Sequence, residues 1–277
     1  MQNARELSVS MDGGSLHVRQ SAIGEGAPAV LFIHGLGESG LCFREAFEMP
    51  SMAGFNLIVP DLPGYGRSRF MKQRELSMAS HVECLLQLMD NLGISSFFII
   101  GHSMGGDLGV MLASSGRGRR VRGLINIEGD LTPHDIFFSN MVVSAAEQGV
   151  FADWFKKDFM EELVLERWGR RWASCRRYYT SLQTCSPEVF LANAREMFLS
   201  NQPVALRKEC ITGASYAALA VPKLFCWGSE SLAEGTLDFL EEASLDHRGF
   251  TPAFHWPMID CAEEFYACAA DFLAGIT

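Results

Sequence analysis

Five short apolar runs, each ending at a glycine, proline or polar residue, constrain the fold of this 277-residue chain more than any other feature. They lie at residues 29–33, 56–59, 97–100, 121–127 and 223–227. Because these runs do not alternate between apolar and polar residues, they predict strands that are buried on both faces of a parallel sheet. Helical patterns between the runs would supply the crossovers that parallel strands need. The sequence therefore predicts an α/β fold.

The chain also predicts a hairpin at its start and a helical insertion in its second half. Apolar residues alternate on both sides of Asp12-Gly13-Gly14, which is typical of a β-hairpin. Residues 131–214 are helix-like, contain no convincing β run, and are rich in Phe, Trp, Arg and Glu. Because the α/β order resumes at Val221, we predict a core formed by 1–130 and 215–277, with 131–214 as a helical cap on the sheet.

Charge and composition exclude several classes of function. The chain has 23 basic and 33 acidic residues, a net charge of −10, so a nucleic-acid partner is not expected. No apolar stretch approaches the roughly 20 residues that span a bilayer, and no signal-peptide core is visible, so no membrane partner is expected. The eight cysteines form no CxxC pair and the histidines are scattered, which predicts a reduced cytoplasmic protein without a metal site. Whether the chain forms a homodimer stays open.

The segment Gly101-His102-Ser103-Met104-Gly105 carries the strongest chemical signal. It matches the pattern G-x-S-x-G, directly follows the apolar run 97–100 and opens the helix-compatible stretch 104–113. A serine at such a sharp turn from strand to helix has its hydroxyl exposed at the edge of the sheet. We therefore predict that Ser103 is a nucleophile.

A second glycine-rich segment, His34-Gly35-Leu36-Gly37, follows the run 29–33. Glycines let the backbone bend so that an N–H group can face a developing oxyanion. The predicted donors are the backbone amides of Leu36 and Met104, the latter at a helix N-terminus. His34 itself is predicted to be structural.

His255 lies in a loop just before the last amphipathic helix and is the predicted general base for Ser103. The segments 34–37, 61–68, 101–105 and 255–258, in this order, resemble the α/β-hydrolase superfamily, specifically its cap-bearing members. The resemblance covers nearly the whole chain. It implies the α/β-hydrolase fold, a mostly parallel sheet flanked by helices with a helical cap, a Ser–acid–His triad, an oxyanion hole and no cofactor. Epoxide hydrolases and haloalkane dehalogenases carry aspartate where this chain has Ser103, so their chemistry is not expected.

The acid of the triad departs from the common family arrangement. Many members place an aspartate after the strand that precedes the histidine, but here that position is Ser231, which cannot carry the charge that orients an imidazole. Other relatives place the acid at the end of the strand after the nucleophile helix, where this chain has Glu128. We therefore favour Glu128, and Glu230 and Asp130 remain alternatives.

Together these residues predict a serine hydrolase that cleaves a carboxylic ester through an acyl-enzyme intermediate. A carbon–carbon bond hydrolase or an amidase could use the same triad, and a non-hydrolytic ligand receptor could use the same scaffold. Most of the aromatic residues of the predicted cap are expected to form its core, and a few to face the cleft and favour a small-molecule substrate with an apolar or aromatic acyl group. These aromatic residues are Phe137, Phe138, Phe151, Trp154, Phe155, Trp168 and Trp172.

Overall fold

The structure is a computed structural model that describes residues 4–21, 24, 26–70, 76–202 and 210–276. The first three residues of the predicted core and residues 203–209 of the predicted cap lie outside the described residues.

One sheet of nine strands organises the described part of the chain. The strands are β1 (Arg5–Met11), β2 (Gly14–Gln20), β3 (Ala29–Ile33), β4 (Asn56–Pro60), β5 (Arg69–Phe70), β6 (Phe97–His102), β7 (Val121–Ile127), β8 (Lys223–Gly228) and β9 (His247–Phe250). Their order is β1-β2-β4-β3-β6-β7-β8-β9, and β5 pairs with β2. The pairs from β4 to β9 are parallel, whereas β1–β2 and β2–β4 are antiparallel. The predicted α/β fold and the predicted hairpin are confirmed.

Helices cover the sheet and form the segment between β7 and β8. They are α1 (Met78–Asn91), α2 (Met104–Ser114), α3 (Phe137–Glu147), α4 (Phe151–Asp153), α5 (Ala173–Leu182), α6 (Pro187–Ser200), α7 (Ile211–Ala218), α8 (Glu234–Glu242), α9 (Pro257–Asp260) and α10 (Ala262–Ala274). A π-helical segment, Trp154–Trp168, continues α4. We call α3 to α7 together with this π-helical segment the inserted helices.

Local sequence explains where these elements begin and which side chains they bury. All residues of β3, β4 and β6 are buried, as the unbroken apolar runs predict for strands covered on both faces. The hydroxyl of Ser77 caps α1 by accepting a hydrogen bond from the Ser80 N–H at 3.1 Å. Helix α6 begins with Pro187 at a position where the missing N–H costs nothing.

The inserted helices contain an aromatic cluster of their own. The ring of Phe159 lies 5.3 Å from Trp154, 6.0 Å from Phe155, 5.8 Å from Phe190 and 6.3 Å from Tyr178, measured between ring centroids. Such packing lets these helices bury their apolar faces against each other. The predicted boundary at residue 214 falls inside α7, and the division into core and cap remains a prediction.

Candidate active site

Ser103 occupies the turn between β6 and α2 in a strained backbone conformation. Its φ of 52° and ψ of −123° are rare for a residue with a side chain. The flanking glycines make this turn possible, because a Cβ atom at Gly101 would lie 2.2 Å from the carbonyl oxygen of Gly105, and one at Gly105 would lie 2.0 Å from that of Ile33. The Ser103 N–H donates to the Ile127 carbonyl at 2.7 Å. The nucleophile candidate is thus held directly against the end of β7.

The two predicted oxyanion donors flank Ser103. Leu36 follows β3 in a loop where Gly37 has a φ of +75°, and Met104 is the first residue of α2. Within the described residues, neither the Leu36 N–H nor the Met104 N–H donates a hydrogen bond to another group of the protein. Unpaired amides next to a serine, one of them at a helix N-terminus, are suited to stabilise a negatively charged oxygen.

His255 and Glu128 form a close pair at the same edge of the sheet. The His255 Nδ1 atom lies 2.7 Å from the Glu128 Oε2 atom. Glu128 directly follows β7, has a φ of 48° and is only 8% exposed. Its Oε1 atom accepts two further hydrogen bonds at 2.7 Å each, from the Gly228 N–H and the Ser231 hydroxyl. The serine at the position where relatives carry an aspartate therefore donates to the glutamate.

The charge beside His255 changes its titration. Burial alone would lower the pKa of His255, but the Glu128 carboxylate and its hydrogen bond, together with the charges of Glu38 and Asp135, raise that pKa above its ordinary value. Because Glu128 accepts from Nδ1, the neutral ring carries its proton there and leaves Nε2 as the acceptor. An imidazole in this tautomer can take a proton from a nearby hydroxyl.

The two alternative acids have other partners. Glu230 is 38% exposed at its side chain and forms an ion pair with Arg171 at 3.1 Å. Asp130 is buried and accepts from the Asn201 amide at 2.8 Å. Burial, reinforced by the charge of Asp107, raises the pKa of Asp130 well above its usual range. Among the described contacts of His255, the carboxylate partner is Glu128.

Ser103 and His255 line one cavity but are not hydrogen-bonded to each other within the described residues. Such contacts are often long in the absence of substrate and tighten when it binds. The His255 ring packs against His102, with 4.7 Å between centroids, and against Phe138, with 5.9 Å. The base is therefore held by aromatic contacts as well as by Glu128.

The cavity has a volume of about 450 Å³, which is sufficient for a small organic substrate. Its apolar wall comes from both the sheet and the inserted helices: Leu36, Phe137, Phe138, Trp168, Tyr178, Met197, Leu232, Phe254 and Trp256. The polar lining includes acidic side chains and histidines, and none of the described lining residues is a lysine or an arginine. The described lining therefore offers a largely apolar surface to a substrate.

Several residues around this site carried no clear sequence signal. Glu38 and Trp256, which both line the cavity, are joined by a hydrogen bond, and Tyr178 donates to the Leu36 carbonyl at 3.0 Å. Glu38 directly follows the glycine-rich motif at 34–37, and a carboxylate at that position is the sequence signal that could have indicated its place at the site. His34 donates to the Gly35 carbonyl at 2.9 Å and accepts from the Leu62 N–H at 2.9 Å, so both of its ring nitrogens serve the backbone.

In the described part of the chain, no group of three or more His, Cys, Asp or Glu side chains is placed to hold a metal ion. None of the described helices combines the length and the hydropathy needed to cross a bilayer.

A profile of the alpha/beta hydrolase fold matches residues 28–178, more than half of the chain. The chain belongs to this family. Similar curated proteins include an epoxide hydrolase of Caballeronia sordidicola, 36% identical over 102 residues, which are 36% of this chain and 30% of that protein. The chain thus aligns with less than half the length of that relative.

Solved structures resemble this α/β-hydrolase over almost its full length. An N-acyl homoserine lactonase complexed with N-butanoyl homoserine has a TM-score of 0.76 and 22% identity, covering 99% of this chain and 97% of the other. A carboxylesterase of Nitrososphaera gargenis has a TM-score of 0.74 and 20% identity, covering 98% of both chains. At these identities the likeness establishes the shared fold.

Proposed function

We propose that this α/β-hydrolase is an esterase-like enzyme that uses Ser103, His255 and Glu128 as a catalytic triad. The observation that carries the proposal is the 2.7 Å contact between His255 Nδ1 and Glu128, with Ser103 on the wall of the same cavity. It leaves the opposite ring nitrogen, Nε2, to accept the serine proton. This combination of a nucleophile, a base and an orienting acid is what covalent acyl transfer requires.

In the first half of the reaction, the Ser103 oxygen attacks the ester carbonyl carbon while His255 Nε2 takes the hydroxyl proton. The carbonyl oxygen becomes an oxyanion, which the N–H groups of Leu36 and Met104 stabilise. As the tetrahedral intermediate collapses, the bond to the alcohol breaks and His255 returns the proton to the leaving oxygen. The product of this half is an acyl-Ser103 ester and a free alcohol.

In the second half, water replaces the alcohol. His255 removes a proton from the water, the hydroxide attacks the acyl carbon, and the same two N–H groups stabilise the new oxyanion. Collapse releases the carboxylic acid and returns the proton to Ser103. Throughout, the Glu128 carboxylate stabilises the imidazolium that forms transiently at His255.

The cavity lining supports a neutral substrate with an apolar or aromatic acyl group. Phe137, Phe138, Trp168 and Phe254 line it, and none of its described lining residues is a lysine or an arginine. The carboxylates of Glu128 and Glu230 at the cavity would repel an anionic substrate. We therefore expect esters of monocarboxylic acids without another charged group to be better substrates than half-esters of dicarboxylic acids, which keep a free carboxylate.

Epoxide hydrolysis is a less suitable activity, although epoxide hydrolases are among the similar proteins. Attack of the Ser103 hydroxyl on an epoxide carbon would give an ether, which neither His255 nor water can cleave readily. Attack on an acyl carbon gives an ester that water can hydrolyse. A lactone, a carbon–carbon bond next to a carbonyl or an amide satisfies the same requirement, so these acyl compounds form the second group of substrates to test.

A serine-directed phosphonate and an activated aryl ester test the proposal together. We expect the phosphonate to label Ser103 stoichiometrically and the ester to give a burst of one alcohol per protein chain. Ser103→Ala should lose both, whereas Ser114→Ala, which changes an exposed serine at the end of α2, should keep both. Ligand binding without labelling or turnover would instead identify a non-hydrolytic receptor.

The proposed compartment is the cytoplasm. All eight cysteines are free thiols, and six of them are buried, as expected for a protein kept under reducing conditions. Treatment of the purified protein with a thiol reagent under native and denaturing conditions would count the accessible cysteines. More than the two partly exposed thiols, Cys261 and Cys268, reacting under native conditions would contradict this arrangement.

A further inference from the structure

A second buried carboxylate, that of Glu38, lies at the wall of the proposed site and accepts hydrogen bonds from three donors. Glu38 Oε2 accepts from the Gly35 N–H at 2.8 Å and from His102 Nδ1 at 2.9 Å, while its Oε1 accepts from Trp256 Nε1. Glu38 is 2% exposed. Burial alone would raise the pKa of Glu38, but the charge and hydrogen bond of His102 and the Gly35 N–H lower it to about 2. A buried carboxylate is tolerated when its oxygens are satisfied in this way.

His102 faces an acceptor on each side of its ring. Its Nδ1 meets the Glu38 carboxylate, and its Nε2 lies 2.8 Å from the carbonyl oxygen of His255. Because a carbonyl oxygen can only accept, Nε2 carries a proton, and the ionised carboxylate requires a proton on Nδ1 as well. Acceptors at both ring nitrogens match an imidazolium at His102, whose positive charge would balance the Glu38 carboxylate.

The other titratable groups that lie near Glu38 are uncharged at neutral pH. His34, Cys42 and Tyr178 lie near Glu38, and His255 packs against His102. Burial lowers the pKa of His34 and raises that of Cys42 and of Tyr178, so all three are uncharged at neutral pH.

The pair joins the three loops that the proposed mechanism uses. Glu38 bonds to the loop that carries Leu36, His102 precedes Ser103, and both side chains bond to the segment His255-Trp256. There is little room at this junction, since a Cβ atom added to Gly35 would lie 3.1 Å from Glu38, from His102 and from Ser103. A shift of either charged side chain would therefore move the oxyanion donors relative to the base.

We propose that Glu38 and His102 form a buried ion pair that positions the oxyanion loop and the His255 loop for catalysis. This inference rests on the proposed hydrolysis. Both residues act through Leu36, Ser103 and His255, so they are positioning residues. Misplacement of groups that act in the transition state by about 1 Å can cost on the order of 10² in rate. The effect belongs in kcat, because these groups interact most strongly with the transition state.

Nitrogen-15 NMR of the histidine rings tests the ion pair in the unmodified protein and needs no turnover. We expect both ring nitrogens of His102 to be protonated under the conditions of the activity assay, with assignment by loss of the signals in His102→Gln. An unprotonated ring nitrogen on His102 under those conditions would overturn the ion pair.

Glu38→Gln tests the positioning role. An amide has one acceptor oxygen where the carboxylate has two, so it cannot satisfy Gly35, His102 and Trp256 at once. We expect kcat per phosphonate-titrated site to fall about 10- to 100-fold with KM changed less than about threefold. His102→Gln should have a similar effect, and the double variant should be no slower than the slower single variant.

Glu45→Gln is the matched control. Glu45 also pairs with a basic side chain, Arg177 at 2.6 Å, and lies shortly after Glu38 in the chain, but it does not line the cavity. We expect its kcat to stay within about twofold of the parent protein.

The possible results separate the two proposals. A pair that only stabilised the fold would lower Tm in Glu38→Gln and His102→Gln and leave kcat per titrated site unchanged, which would overturn the positioning role while the hydrolysis stands. If Glu38→Gln does not fold, His102→Gln decides by the same criterion. A parent protein that is neither labelled at Ser103 nor active on any acyl substrate would overturn the hydrolysis and the positioning role together.

Discussion

Replacing Glu128 by glutamine removes the proposed triad charge and keeps the shape of the side chain. The Gly228 N–H and the Ser231 hydroxyl both donate to Oε1, so the amide oxygen of the variant would take that position. The amide nitrogen would then lie where Oε2 was and donate to His255 Nδ1. This forces the imidazole proton onto Nε2, the nitrogen that must accept the proton of Ser103.

The cost of this change follows from the contacts. If the glutamine amide is turned around, its oxygen accepts from His255 Nδ1 and the original tautomer returns. Its NH2 group then faces the Gly228 N–H, and two opposed donors cost about 1–3 kcal/mol. Losing the charge-assisted bond to the imidazolium adds about 1.5–3 kcal/mol. We therefore expect kcat to fall by about 10² to 10⁴, because each 1.4 kcal/mol is a factor of ten. In serine proteases the corresponding Asp-to-Asn change costs about 10⁴.

The assay is the kcat on one activated aryl ester, corrected for active sites by phosphonate titration. Glu230→Gln is the control, since that carboxylate pairs with Arg171 at the surface, and its kcat should stay within about threefold of the parent. If Glu128→Gln lost less than tenfold, or if Glu230→Gln lost as much, the assignment of the acid to Glu128 would be refuted.

Three further predictions concern the same groups. Ser231→Asp alone should lower kcat by at least about tenfold, because the carboxylates of Asp and Glu128 in contact would compete for one proton. In a Glu128→Gln background the same change should raise kcat, because it returns a negative charge to the site. Steady-state kinetics of the two single variants and the double variant check this, and a double variant slower than Glu128→Gln would contradict it. In urea denaturation, the free energy of unfolding of Ser103→Gly should be about 1 kcal/mol higher than that of Ser103→Ala, because only glycine adopts this backbone conformation without strain. Equal values would show that the turn is unstrained. Because the pKa of His255 is raised and the base must be neutral, kcat/KM should rise with pH through a value above 6.5. Glu128→Gln should move that value down. The raised pKa also stabilises the fold below about pH 6.5, and this stabilisation is lost as the pH rises through the folded-state pKa. A pH profile unchanged in Glu128→Gln would contradict this coupling.

The fold was largely predictable because its central strands are buried on both faces. The five apolar runs coincide with β3, β4, β6, β7 and β8 to within two residues. Strand β9 was missed because its sequence, His-Arg-Gly-Phe, lies at the edge of the sheet with three of its four residues partly or fully exposed. Strand β5 was missed because two residues carry no period.

Sequence position indicated the candidate-site residues that stand at the ends of strands, and the order of the family motifs indicated His255 in a loop. Ser103 and Glu128 directly follow β6 and β7, and parallel strands bring such positions together. Their distances to other groups were not predictable, because the Ser231 and Gly228 contacts with Glu128 depend on a loop one hundred residues away along the chain. Glu38 was missed for the same reason, since its partners His102 and Trp256 are far from it in sequence.

The hydrogen bond from Tyr178 to the Leu36 carbonyl has a consequence for how substrates would be selected. Tyr178 belongs to α5, one of the inserted helices, whereas Leu36 carries a proposed oxyanion donor on the sheet. A substrate that displaces α5 by its bulk would break this hydrogen bond and make the Leu36 loop more mobile, although the substrate would still occupy the cavity. Such a molecule would bind well and react slowly, so chain-length or ring-size discrimination would appear as induced fit in the catalytic rate constant rather than as weaker binding.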